Sequence, residues 1–472
     1  MDTAVVWFRD DLRVTDNPTL ADAVNQATKV LPIYVYDPRR YGQTQYGTQK
    51  IGGFRAQFRH ESLSDLRNSL QDLGGDLFVR SGHVEDVIPK LVREVDADAV
   101  FAQTKPATEE LEREHLVRES LPSDVSLKRR WTHTLYHIND LPEEYHNIND
   151  TFTPWRKTVE QQSSVRDSIP APKVVNTPRI DSGDLQSPTE LDIEPQKIDN
   201  RTVLEFTGGE TAAKRRLDKY FWEGDHLREY KQTRNGMLGA NYSSKFSPWL
   251  AAGCISPRWI HGEIEKYENQ RVSNEDTYWL VFELLWRDFF QFQFVKHGAD
   301  FFMPGGIRNV DKPWKQDKQQ FTQWKNGETG IPFIDANMRE LNQTGYMSNR
   351  GRQNVASFLV DGLQIDWRWG AAYFEEQLVD YDVASNWGNW AYQAGVGNDS
   401  RDNYFNVLTQ AERYDSDAEH IKTWIPELSE LPAEYAHRPW DMTKEQQVTH
   451  NIELGIDYPR PMIDLEERYR SI

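Results

Sequence analysis

Among 472 residues there is a single cysteine, Cys254, so no disulfide can close within the chain and an oxidising compartment is not indicated. Long apolar runs are missing as well. The most apolar stretch, YWLVFELLWRDFFQFQFV, is cut by Glu283, Arg287 and Asp288 and falls short of the roughly 18 uncharged residues that a membrane span needs. The N-terminal MDTAVVWFRDDLR carries an acid at position 2 and only a short apolar run, which fits a buried first strand and not a signal peptide. These absences predict a soluble, cytoplasmic protein with no membrane partner. Positive charge is also scarce: 55 Lys+Arg stand against 74 Asp+Glu, a net charge of -19. Phosphate attraction supplies the sequence-independent part of nucleic-acid affinity, so a general nucleic-acid binder is disfavoured and any such site must be a local basic groove. The same acidity predicts a melting temperature that rises from dilute buffer into molar salt, where screening shortens to about 3 Å. No GxGxxG follows a strand and no GxxxxGK[ST] occurs, so neither the usual dinucleotide fold nor a P-loop is supported.

What is present is globular in composition, 38% hydrophobic with 27% charged, which excludes wholesale disorder over a length sufficient for two or three domains. In the first third, the short runs AVVWF, VLPIYVYD, DLFVR, ADAVFAQ and VSLKR alternate with helix-period segments. That alternation predicts a five-stranded parallel sheet, doubly wound by helices. From about Ser163 to Gln196 the chain turns to Ser, Pro, Asp and Thr without periodicity, the signature of a linker draped over the surface. Beyond Asn200 strand signals are scarce and aromatic helices dominate, predicting an all-α second domain.

Several clusters in that second half carry polar chemistry. Residues 279 to 296 form a helix apolar on all sides, expected to be buried. Glu283 and Arg287 are spaced i, i+4 on it as an ion pair, with Trp286 beside them. Such a pair reads either as a helix contact or as the charged wall of a pocket, since buried pairs are weak evidence for stability. In GANYSSKFSPWLAAGCISP, Ser243, Ser244, Lys245 and Ser247 precede an apolar helical run, as plain caps or as an anion site. Asn349, Arg350 and Arg352 fall in a turn before a helix, and Asp380, Asp382 and Asn386 lie amid aromatics, read either as solvated loop charges or as a polar cofactor pocket. Most of the 16 tryptophans are packing; Trp314, Trp367 and Trp390 could relay electrons only if folding brings them close.

Six ordered segments, WFRDDLRVTDNPTL, TRNGMLGANYSSKFSPWLAAGCISP, YWLVFELLWRDFF, TGIPFIDANMRELNQTGYMSNRGRQNVASFL, IDWRWG and DYDVASNWGNWAYQAGVGND, closely resemble the cryptochrome/photolyase flavoproteins. Within them, MSNRGRQNVASFL and SNWGNW resemble the DASH branch. The resemblance spans about residues 1 to 130 and 215 to 465. It implies an α/β antenna domain at 1–130, a linker at 131–199 and a helical FAD-binding catalytic domain at 200–472. Tyr230, Ser243, Ser244, Lys245, Phe246 and Ser247 fall on the family's adenosine and diphosphate stretch. Asn349, Arg352, Asp380, Asp382 and Asn386 fall on its isoalloxazine pocket, and Glu283 on both cofactor and substrate positions. Arg352 and Asp380 are expected to pair across the flavin, and the Asn386 amide to approach its N5. Glu283, Trp286, Arg287, Asn349, Arg350, Gln353 and Tyr392 match positions that receive a flipped pyrimidine dimer, and Arg234 a phosphate contact. Gln353 stands where duplex photolyases have methionine and Tyr392 where they have tryptophan, as in DASH proteins. Both changes weaken the stacking that compensates base flipping, so single-stranded DNA is the implied substrate. Trp390, Trp367 and Trp314 match the family's tryptophan relay, in order outward. The implied activity is light-driven electron donation from reduced FAD to a cyclobutane pyrimidine dimer, by a monomer. The alternative is a blue-light receptor without repair. The stretch QTKPATEEL places Lys105 where many DASH proteins use a glutamate to hold a folate antenna, so a second chromophore, folate or deazaflavin, is an open expectation.

Overall fold

The computed structural model describes residues 1–398 and 404–470. Asp399, the last residue of the sixth segment above, lies outside them. The five expected strands are all present: β1 Thr3–Phe8, β2 Lys29–Tyr36, β3 Phe78–Ser81, β4 Ala99–Gln103 and β5 Ser126–Arg130. They form one parallel sheet in the order β3-β2-β1-β4-β5. Helices α1 Pro18–Gln26, α2 Gly53–Asp72, α3 Val84–Glu94 and α4 Thr108–Ser120 are the crossovers. Every residue of β1 is buried, as a central strand covered on both faces must be, and its TAVVWF has no polar alternation for that reason. Strand order reverses between β1 and β4, so Asp10 and Lys105, just past the ends of those strands, sit at the topological switch point where open α/β sheets bind ligands.

The irregular segment from Ser163 lies along this sheet domain and pairs with it through backbone bonds, including Val30 N to Asn176 O and Val79 N to Ser182 O. Before it, α5 Phe152–Gln162 packs on a long helix of the second half. That half comprises α6 Glu210–Asp218, α7 Tyr230–Thr233, α8 Ser247–Ala252, α9 Pro257–Gln270, α10 Glu275–His297, α11 Lys318–Asn326, α12 Pro332–Thr344, α13 Asn349–Ser357, α14 Trp367–Gln377 and α15 Val383–Gln393, then shorter helices to Arg470. Among the described residues no named strand follows β5. Asn274 caps α10, accepting from Thr277 N, and the helix buries a dozen residues. Each buried leucine or phenylalanine among them contributes about 2 kcal/mol. The two halves meet closely at Gly253: its φ is +72°, and a Cβ there would lie 1.9 Å from Asp10 O, so both conformation and space require glycine.

Candidate functional site

A cavity of about 540 Å³ opens among α7, α8, α10, α13 and α15. Its wall gathers residues that are far apart in sequence, and the local structure explains how each arrives there. Ahead of α8, Lys245 adopts φ +55°, a left-handed conformation uncommon outside glycine, within a loop held by Arg216. Arg216 Nε donates to Ser244 O at 3.0 Å, while Nη2 donates to Ala240 O and Ser243 O. Burial, reinforced by repulsion from Arg216, lowers the Lys245 ammonium pKa to about 6. The buried Nζ has no hydrogen-bond acceptor and rests 3.1 Å over the Tyr242 ring. Ser247 opens α8 and donates its hydroxyl to Asp380 Oδ2 at 2.6 Å. Arg352 Nη2 donates to the same oxygen at 2.8 Å, so the expected Arg352–Asp380 pair forms.

Asp382 is the N-cap of α15, accepting from Ser385 N at 3.0 Å and from Gln291 Nε2 at 2.8 Å. Burial pushes its carboxyl up, but Lys105, Arg287 and Ser385 outweigh that and hold it at about 2. The cap fixes the start of α15 and thereby Asn386, Trp390 and Tyr392, which follow about one to three turns on. Asn386 spends one amide hydrogen on Ala371 O at 3.0 Å.

Two expectations are corrected by the geometry. Glu283 and Arg287 do not pair, despite their spacing. Arg234, from the loop after α7, pairs with Glu283, while Arg287 donates to the carbonyls of His133 and Leu250. A guanidinium that finds backbone carbonyls at a helix contact has no need of the carboxylate four residues earlier. Asn349, Arg350 and Arg352 lie not in a turn before a helix but in the first turn of α13, capped by Ser348.

Of the residues singled out, Tyr230, Arg234, Ser243, Ser244, Lys245, Phe246, Ser247, Glu283, Trp286, Arg287, Asn349, Arg352, Gln353, Asp380, Asp382, Asn386, Trp390 and Tyr392 all line this cavity. Arg350 does not. It turns onto the Tyr414 ring at 4.4 Å and donates to Asn235 Oδ1. Trp367 and Trp314 lie behind the wall. A Cβ on Gly370 of α14 would meet Trp390 at 2.2 Å, so the helix that begins at Trp367 presses directly on the cavity tryptophan. Trp367 is fully buried and Trp314 half-buried, and both indoles donate to Pro304 O, at 3.2 and 3.0 Å. Their burial therefore falls from cavity to surface in the order Trp390 or Trp367, then Trp314.

Three contributors were not legible in the sequence. Phe152 of α5 stacks on Trp286 with centroids 3.6 Å apart and planes 9° apart, from a segment read as linker. Gln291 reaches Asp382 from an otherwise apolar helix face; a buried amide between phenylalanines was the available signal. Arg216 gave none, since nothing in its helix marks which loop it holds.

A second cavity, of about 380 Å³, lies between the sheet domain and α15. Tyr46, Phe302, Tyr381 and Trp387 supply rings; Arg40, Lys50, Arg59, Lys105 and Arg113 supply charge. Ala251, Tyr381 and Asp382 belong to the walls of both cavities. Among the described residues no cluster of His, Cys, Asp or Glu could hold a metal ion, and no helix is long and apolar enough to cross a membrane.

Residues 4–173 match the family model of DNA photolyase, and residues 279–472 match that of the FAD-binding domain of DNA photolyase. The chain is 63% identical to the cryptochrome DASH of Natronomonas pharaonis, covering 100% of both chains. Among solved structures it resembles the cryptochrome of Synechocystis sp. PCC6803, with TM-score 0.97 and 46% identity over 100% of this chain and 98% of that one. It also resembles the archaeal photolyase of Sulfolobus tokodaii solved with two FAD molecules, with TM-score 0.79 and 27% identity over 100% of both chains.

Proposed function

The chain belongs to the cryptochrome/photolyase flavoprotein family, in its cryptochrome DASH branch, and from that premise we propose that it is a light-driven lyase for cyclobutane pyrimidine dimers in single-stranded DNA, with domains at 1–130 and 200–472 joined by 131–199. The observation that supports this most is the continuity of one cavity. The residues suited to hold FAD and those suited to receive a base line the same space. The fit to FAD rests on unmet bonding: Lys245 Nζ, Asp380 Oδ1 and Gln353 Oε1 are buried in the wall of this cavity without hydrogen-bond partners. Buried polar groups left unpaired cost about 1–3 kcal/mol each, so a ligand that satisfies them gains that back.

In this reading Ser243, Ser244, Lys245 and Ser247 hold the diphosphate end, and an arriving phosphate restores the Lys245 charge that burial suppresses. Arg352, Asp380, Asp382 and Asn386 hold the ring system. Bound there, FAD supplies a photoexcitable electron donor. Glu283, Asn349 and Gln353 orient the lesion's polar edges, while Trp286, braced from behind by Phe152, offers a rigid apolar wall. Tyr392 meets Trp286 edge-on at 6.2 Å, a smaller wall than an indole would give. Opening a duplex is then poorly compensated, which favours substrates already single-stranded. Trp390, Trp367 and Trp314 would relay electrons from the surface toward the cavity. The second cavity would take a second chromophore, folate or deazaflavin, and Tyr46 and Trp387 would supply aromatic surface to hold it.

The test is blue-light incubation of purified protein with dimer-containing oligonucleotides. Repair of single strands at a rate well above duplexes is expected. Equal repair of both removes the single-strand assignment, and repair of neither establishes the receptor reading instead. An absorption band beside the flavin bands identifies the second chromophore.

A further inference from the structure

Lys105 is the residue that the sequence left without a partner, at the place of the family's antenna-holding glutamate. It sits past the end of β4, with its side chain 5% exposed, and its ammonium points away from solvent into the seam between the halves. Nζ lies 3.3 Å from Asp382 Oδ2, 3.3 Å from Glu110 Oε1 and 3.6 Å from Asp10 Oδ2.

These three carboxylates differ in what else they have. Asp10 is already paired with Arg59 at 2.6 Å and Arg40 at 3.3 Å. Glu110 stands at the start of α4, where the helix N-terminus favours a negative charge. Asp382 touches only neutral donors besides Lys105, namely Gln291 Nε2 and Ser385 N, and it is the one of the three that lines the first cavity. Arg287 also acts on Asp382 through space, but its hydrogen bonds go to carbonyls, which leaves Lys105 as the cation in contact with the carboxylate.

We infer that Lys105 is a positioning residue of the flavin site, neutralising the Asp382 carboxylate from behind so that this carboxylate presents no uncompensated negative charge to the bound ring system. The inference rests on the flavin reading of that cavity. The physical reason is simple: reduction adds negative charge to a bound flavin, and an uncompensated carboxylate in a low-dielectric wall opposes it. A lysine that only docked the two halves would influence stability and leave the flavin's electron affinity alone.

The experiment is a double-mutant cycle on the FAD-loaded full chain, read by spectroelectrochemical titration at pH 8. Lys105→Met is expected to shift the oxidised-to-reduced ratio at least tenfold toward oxidised at a fixed potential, which is about 30 mV for a two-electron couple. Lys105→Arg keeps the charge and retains the wild-type potential. In an Asp382→Asn background, Lys105→Met shifts the ratio less than threefold. An unchanged potential in Lys105→Met overturns the inference, as does an equal shift in both backgrounds. Should Lys105→Met lose its flavin, recovery of flavin in the double variant supports the inference and its absence there overturns it. Wild-type protein that binds no FAD would instead sink the flavin reading, a result visible before any variant is made.

Discussion

The two cavities are built from similar residues and are prepared differently. In the first, Lys245 Nζ, Asp380 Oδ1 and Gln353 Oε1 are buried without partners; in the second, among the described residues of its wall, only Arg59 Nε is. Most of the second cavity's charges satisfy each other: Arg40 and Arg59 with Asp10, Lys50 and Arg113 with Glu109, Lys105 with Glu110 and Asp382, while Arg55 donates to the carbonyls of Lys50 and Leu378. A wall with unmet polar groups stores a demand for a ligand, whereas a self-neutralised wall asks an incoming anion to displace existing pairs. Tight retention is thus expected of the first cavity and loose retention of the second.

The strongest way to break this contrast is at Asp380, which accepts from both Arg352 and Ser247. Asp380→Asn leaves the Arg352 guanidinium without its counter-charge, and removing one partner of a buried pair costs about 3–5 kcal/mol. The expected outcome is at least about a hundredfold weaker flavin retention, measured by the flavin absorbance surviving gel filtration. Retention within a few-fold of wild type would show that the unmet groups of the first cavity do not decide its affinity.

A smaller effect sharpens the substrate end of the same cavity. Tyr392→Trp enlarges the wall facing Trp286, and stacking on an aromatic contributes about 1–3 kcal/mol per base. Affinity for dimers in duplex DNA should rise about tenfold, measured by fluorescence anisotropy, while affinity for single strands changes less. Phe152→Leu acts in the opposite sense. It removes a stacked pair that contributes about 1 kcal/mol beyond buried area, so dimer affinity should fall several-fold with flavin retention intact.

How much of this was legible beforehand follows from what each element needs. The central strands could be read because a parallel strand covered on both faces is almost wholly apolar, as AVVWF of β1 and AVFA of β4 are, and the edge strands because they alternate with helix-period segments. The first cavity could be read because its residues lie in contiguous segments, each carrying several of them. The Glu283–Arg234 pair could not, since spacing predicts partners only within a helix and Arg234 comes from another element. Phe152 was hidden for a similar reason: an aromatic in a short helix carries no sign of which distant ring it will meet. Lys105 was conspicuous in sequence, but its partner Asp382 lies 277 residues away and only the fold shows that they meet.

The most delicate contrast is in pH dependence. The Lys245 ammonium is lowered to about 6 by burial and by Arg216, from 10.5 when exposed. Between these values the folded, flavin-free protein binds fewer protons at this site than the unfolded chain does. This site's contribution to stability therefore rises with pH across that window, its penalty being largest below about pH 6. Lys245→Met abolishes the slope, so subtracting the variant's denaturation free energies from those of the wild type at pH 6 to 9 should leave a difference that grows with pH. Bound FAD removes the slope, because a diphosphate favours the charged amine and returns its pKa toward the unfolded value, so the same subtraction on loaded protein should flatten. Lys50 of the second cavity, partly exposed and already paired with the exposed Glu109, provides the comparison: Lys50→Ala should change stability by no more than about 0.5 kcal/mol at any of these pH values. A flat difference for Lys245 in the flavin-free protein would mean that its charge is accommodated without a ligand, and the distinction between a wall with unmet demand and one already neutralised would fail at its most buried lysine.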